Sequence, residues 1–186
     1  MKRRVLLALA LVIVGLAAVA IRVVVAGRGA LAEGDAAAAD GRVDDAIAAW
    51  ERAARWYLPF APHVDDAYAR LVETAGKGRP YALPAWRAVR SAALATRTLW
   101  TPHAGDLAEA NAQIAELASR EPAGAASGGP DAATRKTFHV AQLAHHPRPS
   151  PAMAWLMLLV VGAGLGGIAY LVRRTDRRST PVADQR

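Results

Sequence analysis

The residues able to do chemistry in this chain are few, and their spacing argues against a catalytic centre. Of the five histidines, His139, His145 and His146 fall within a short stretch, and three imidazoles can bind a transition metal. Their spacing matches no zinc pattern, and flanking Gly and Pro leave them without a rigid frame. Solvated side chains are the plainer reading. His63 and His103 each adjoin a proline and belong to helix starts. Asp44-Asp45 and Asp65-Asp66 are paired carboxylates. Adjacent helical residues point about 100° apart, so neither pair forms a two-carboxylate site, whereas both suit the positive end of a helix. No nucleophile elbow, zinc-protease, P-loop or dinucleotide-binding pattern occurs. With no cysteine, disulfides, thiolate metal sites and covalent haem attachment are excluded. The expectation is a protein that is not an enzyme, with no cofactor and no metal.

Aromatic and basic side chains offer binding surfaces instead. Trp50 and Trp86 lie on apolar helical stripes and read as core. Trp56 and Phe60 flank a proline-broken corner and are candidate partner contacts. Arg87, Arg90 and Arg97 share the polar side of one predicted helix. They suit an anionic partner or lipid headgroups, although a solvated face is the plainer reading in a segment of no net charge.

The elements that position these residues follow from uneven hydropathy and charge. Of the formal net charge of +7, Met1–Ala26 holds +4 and Ala152–Arg186 holds +3, while Gly27–Pro151 carries 14 basic and 14 acidic residues. A neutral middle lacks the electrostatic footprint of a nucleic-acid binder. Val5–Ala26 is almost wholly Ala, Leu, Val, Ile and Gly. As a helix it is about 33 Å long, enough to cross a bilayer core, with Arg22 able to snorkel near its end. Ala152–Val172 has no charge and is bracketed by Trp155 and Tyr170. Lys2-Arg3-Arg4 before the first run and Arg173, Arg174, Arg177 and Arg178 after the second orient both ends to the cytoplasm. A cleavable signal peptide is the rival for the N-terminus, with Ala18-Val19-Ala20 as its cleavage site. The length of the apolar run favours an uncleaved anchor. Gly162/Gly166 and Ala163/Gly167 form small-xxx-small pairs for helix packing in the second span, and with them a homo-oligomer.

Between the spans, Ala is abundant, β-branched residues are scarce and the apolar period is helical. The pattern predicts helices over Leu31–Asp40, Val43–Tyr57 and His63–Gly76, then from Pro84 to about Trp100 and from Pro102 to about Arg120, Thr101 capping the last. Gly41 ends the first in a left-handed cap. The stripe of the third is Tyr68, Leu71, Val72 and Ala75, and that of the last is Leu107, Ala110, Ile114, Leu117 and Ala118. Residues 122–151 read as a Gly/Pro-rich linker, within which Thr134–Ala144 forms a short element docking Phe138 and Leu143.

Gly34, Gly41, Ala46, Trp50 and Ala53 fall at the spacings of the small, turn, Ala, aromatic and Ala positions of a tetratricopeptide repeat, and Pro59 stands one place past that of its proline. The segment Ala30–Pro59 therefore resembles one such repeat, which implies a helical hairpin used to bind protein partners. A weaker similarity, in Pro147–Pro151 and Gly162–Gly167, is to polysaccharide co-polymerases, which share the two-span, ends-in topology.

The whole is an all-α chain: cytoplasmic residues 1–4, a span at 5–26, an extracytoplasmic helical domain at 27–121 (a tetratricopeptide-like hairpin and about three more helices), the linker at 122–151, a second span at 152–172 and a basic cytoplasmic tail at 173–186. The Ala- and Arg-rich composition suggests a high-GC bacterium. The expected role is a noncatalytic adaptor or accessory subunit of an envelope complex in the inner membrane. Its expected partners are the lipid bilayer and other envelope membrane proteins, without nucleic acid. The alternative is a co-polymerase-like regulator of chain length.

Overall fold

The computed structural model describes residues 2–97, 101–120, 131–145 and 155. Among them are six helices and no strand: α1 (Lys2–Ala39), α2 (Val43–Arg55), α3 (Pro62–Gly76), α4 (Ala82–Ala95), α5 (Ala104–Arg120) and α6 (Ala132–Ala144). Contacts divide the chain into two units, Ala20–Arg148 and Met1–Val19 with Pro149–Arg186. The first holds the helical domain. Of the second, the start of α1 and the helical Trp155 are described. The expected second span, with Gly162, Gly166 and Gly167, lies outside the described residues.

The largest departure from the sequence-based expectation is α1. A break was expected between an apolar span and a separate helix from Leu31, but one 38-residue helix, about 57 Å long, runs through. Gly27 and Gly29 each cost about 1 kcal/mol relative to Ala. Strong helix formers around them and tertiary packing at Gly27 offset this. Among the described residues, α1 is the one helix long and apolar enough to cross a membrane. Its large apolar side chains, Ile13, Val14, Leu16, Val19, Ile21 and Val25 among them, are exposed.

The end of α1 is the expected glycine cap. Gly41 has φ +77°. Its N–H bonds the Ala38 carbonyl at 3.0 Å, and the Arg42 N–H bonds that of Ala37 at 2.9 Å. This doubly bonded stop satisfies two orphan carbonyls and reverses the chain. Arg42 pairs with Asp40 and Asp45 across the turn. α2 then returns along α1 with Ala46, Ile47, Ala49, Trp50, Ala53 and Ala54 buried. Gly34 receives the Trp50 ring: a Cβ built there would lie 2.4 Å from Cδ1. Trp50 Nε1 donates to Asp35 Oδ1 at 3.1 Å, and Arg70 Nε of α3 donates to the same oxygen at 3.1 Å. Arg52 pairs with Glu33 at 2.7 Å. One carboxylate thus ties α1, α2 and α3 together.

The remaining helices pack in succession: α3 on α2, α4 on both, α5 on α4 and α6 on α5. The core is largely alanine, filled out by Val64, Tyr68, Leu71, Trp86, Val89, Leu107 and Ile114. Alanine faces let backbones approach closely, and the two indoles are the largest side chains between them. Leu117 packs partly buried against this core, but Val72, expected on the third stripe, is exposed.

Several helix ends differ from expectation. α4 starts at Ala82, so Pro84 occupies the third helical position, where its missing N–H is not needed. It stops at Ala95, and the Thr96 hydroxyl just past its end donates to the Ala92 and Ala93 carbonyls. Trp100 lies outside the described residues. α5 starts at Ala104 rather than Pro102. His103 takes φ +55° just before it, with its carbonyl accepting the Leu107 N–H at 3.0 Å. The expected linker contains a full helix, α6, capped by the Asp131 carboxylate on the Thr134 N–H at 2.7 Å. Asp131 was the missed sequence signal. Leu143 packs on the core as expected, while Phe138 is exposed.

The glycine contacts yield a paired prediction. Gly34→Ala should destabilise the purified chain by about 1–3 kcal/mol, because Trp50 must give way. Gly29→Ala meets nothing within 4 Å. It should stabilise by about 0.5–1 kcal/mol through helix propensity. Denaturant unfolding in detergent, followed by circular dichroism, reads both.

Candidate functional site

A concavity in the helical domain lies where α4, α5 and α6 meet, with a volume of about 550 Å³. α4 contributes Arg87, Arg90, Ser91 and Leu94, α5 contributes Ile114 and Ala118, and α6 contributes His139, Gln142 and Leu143. Arg87 and Arg90 are three apart, so one helical face presents both. Arg87 is exposed and Arg90 half-buried. Arg90 Nε donates to Asn111 Oδ1 of α5 at 2.9 Å, and burial lowers the guanidinium's pKa from its ordinary value. Ser91 Oγ accepts from Arg55 at 2.6 Å. No carboxylate is among the residues lining this cavity.

The third wall is set by how α6 is held. Arg135 donates through Nε and Nη2 to the Ser119 carbonyl near the end of α5, at 3.1 and 2.8 Å. Lys136 and Arg120 both pair with Glu116. Hydrogen bonds from Lys136 and then Arg120 hold the Glu116 carboxyl below the ordinary carboxylate range. The Thr134 backbone N–H does the same for Asp131. The arrangement offers two guanidiniums, an imidazole, an amide and a hydroxyl over an apolar floor of Leu94, Ile114 and Leu143. It can receive an acidic group carried on an apolar segment, and it holds no nucleophile paired with a base.

The expected arginine face is divided. Arg87 and Arg90 line the cavity, but Arg97 lies beyond the end of α4 with its Nε buried and lacking a hydrogen-bond partner among the described residues. The stripe was drawn on a helix that stops too early to include it. His139, expected in a linker, faces this cavity from α6. Sequence reasoning placed it within the short Thr134–Ala144 element but read its side chain as solvated. Among the described residues, no three His, Cys, Asp or Glu side chains are grouped so as to hold a metal.

The other expected contacts, Trp56 and Phe60, sit between α2 and α3 and are not among the residues lining the cavity. Trp56 is 39% exposed and Phe60 fully exposed, whereas Trp50 and Trp86 are core. The corner is fixed by His63. Its buried Nε2–H donates to the Trp56 carbonyl at 2.9 Å. The same ring lies on α1 at Gly27, where a Cβ would stand 2.1 Å from Nε2. His103 stacks on Tyr68, centroids 4.1 Å apart, and donates from Nδ1 to Asp106 at 3.0 Å. Burial, aided by the Asp106 charge, raises the Tyr68 pKa above its ordinary value. Both histidines are thus structural parts of helix starts.

Compared with known protein families, curated proteins and solved structures, the chain matches none.

The attachment of α6 has a pH signature. A carboxylate whose folded pKa is lowered stabilises the fold above its unfolded pKa. That gain is lost as pH falls through the folded value. Glu116→Gln should therefore melt below the native chain near neutral pH. The two melting temperatures should converge in acid well below about pH 4. A gap that persists unchanged in acid would detach the effect from the Lys136 and Arg120 pairs.

Proposed function

We propose that this chain is a noncatalytic adaptor or accessory subunit of a bacterial envelope complex, held in the inner membrane by α1 and a second span at 152–172. In this reading both termini are cytoplasmic and the helical domain is extracytoplasmic. The supporting observation is the continuity of α1. An apolar helix with exposed Val and Ile side chains becomes, without a break, the first arm of a packed hairpin. An apolar surface of that kind suits lipid, and the direct run into the hairpin holds the domain close to the bilayer.

The hairpin of α1 and α2 acts as a tetratricopeptide-like module. Trp50 against Gly34 supports this, as these are the aromatic and small positions of the resemblance. Its apolar side is covered by α3 and α4, so partner binding falls to the α4–α5–α6 cavity. The partner chemistry that fits is an acidic, partly apolar segment of another envelope membrane protein. Anchoring raises the effective concentration of such a partner, so a modest contact suffices. Gly162, Gly166 and Gly167 add helix packing within the membrane.

Two measurements test this. The chain has no cysteine, so single probes can be placed cleanly. A cysteine at Ser127 should react with an impermeant thiol reagent added outside intact cells, and one at Ser179 should not. The reverse pattern would overturn the topology. The variant Arg87→Glu, at the exposed guanidinium, should lower recovery of a stoichiometric membrane partner about tenfold or more, with its melting temperature preserved. Undiminished recovery would remove the cavity from the reading.

A further inference from the structure

The corner between α2 and α3 lies at the level where α1 leaves its apolar run. The apolar run ends at Ala26, and the His63 ring packs on the next residue, Gly27, while bonding the Trp56 carbonyl. Corner and helix exit are thereby clamped at one height. The opposite end of the hairpin, the turn at Gly41, is 14 residues farther along the sequence, about 21 Å on by helical rise.

The two ends differ in chemistry. The far end carries Asp40, Arg42, Asp44 and Asp45. The corner itself, Arg52–Val64, has no acidic residue, although Asp65, in the first turn of α3, and Asp66 follow it; α1 has none before Glu33. Arg22 and Arg28 of α1 are both exposed there. Tyr57 and Leu58 are partly buried against the core, which anchors the corner from behind. Phe60 stands fully exposed at φ +67°, a left-handed conformation disfavoured for a bulky residue. Aromatic side chains with nearby arginines are the residues favoured at a membrane–water interface.

The geometry points to the Trp56–Phe60 corner as a bilayer-interface anchor: Phe60 enters the edge of the acyl region, Trp56 lies among the headgroups, and Arg22 and Arg28 meet lipid phosphates of the same leaflet. The occupant of this apolar surface is the anionic membrane that α1 crosses, not a protein partner. The inference rests on α1 being a span. Its consequence is a domain attached at two points, the helix and the corner, which limits its tilt on the bilayer and leaves the α4–α5–α6 cavity as the partner surface.

The test uses the full chain in nanodiscs of phosphatidylcholine and phosphatidylglycerol. Single cysteines at positions 14, 44 and 60 (Val14→Cys, Asp44→Cys, Phe60→Cys) carry a nitroxide, an apolar ring that substitutes for Phe60. Collisions with oxygen, which concentrates in lipid, are compared with those of a water-soluble nickel chelate. Oxygen should dominate at 14 and nickel at 44. At 60 the oxygen-to-nickel ratio should exceed that at 44 several-fold, and adding Trp56→Asp to the Phe60→Cys chain should return it toward the value at 44. If 14 is lipid-exposed but 60 behaves like 44, the span stands and the anchor is wrong. If 60 is shielded from both reagents, a protein contact covers the corner and the anchor is equally wrong. If 14 is aqueous, the span itself fails and the anchor with it.

Discussion

The Trp50 indole lying on the bare backbone of Gly34 is the contact from which the rest of the domain is built. Removing the side chain on α1 lets α2 come close enough for the indole to be buried against it. The indole N–H reaches Asp35, and the other demand on that carboxylate, from Arg70, draws in α3. With three helices registered on one carboxylate, the alanine faces of α2, α3 and α4 meet around Tyr68, Leu71 and Trp86. α5 and α6 then add to a face already formed.

A second glycine repeats the device seven residues earlier, two helical turns along the same face. Gly27 takes the His63 ring as Gly34 takes Trp50. The pair aligns α1 with both the exit of α2 and the entry of α3. Gly27, which follows the apolar run, is therefore a site at which the continuing helix is gripped. This is why α1 does not break, and why the aromatic corner has a definite height along it.

The cavity depends on a different kind of interaction. α6 contributes no buried residue to its own packing. It is held through Leu143, the Arg135 bonds to the Ser119 carbonyl, and the Lys136–Glu116 pair. Such polar attachments on an exposed helix are individually weak and sensitive to pH and salt. The wall bearing His139 and Gln142 is therefore held to α5 in part by contacts that weaken with salt and acid.

The sequence by itself determined the all-helical class, because Ala-rich segments with apolar residues three and four apart have no other way to bury one face. It located the Gly41 stop, the Trp50 and Trp86 core and an apolar helix able to cross a membrane, each from a local rule of conformation or hydropathy. Tertiary structure alone decided the continuity of α1, since glycine propensity argued for a break and only the His63 and Trp50 rings reveal the packing that opposes it. It also separated Arg97 from Arg87 and Arg90, because α4 ends at Ala95, which no stripe records. And it moved His139 from solvent to a cavity wall, because α6 is recognised by its pairing with α5 rather than by any strong apolar period of its own.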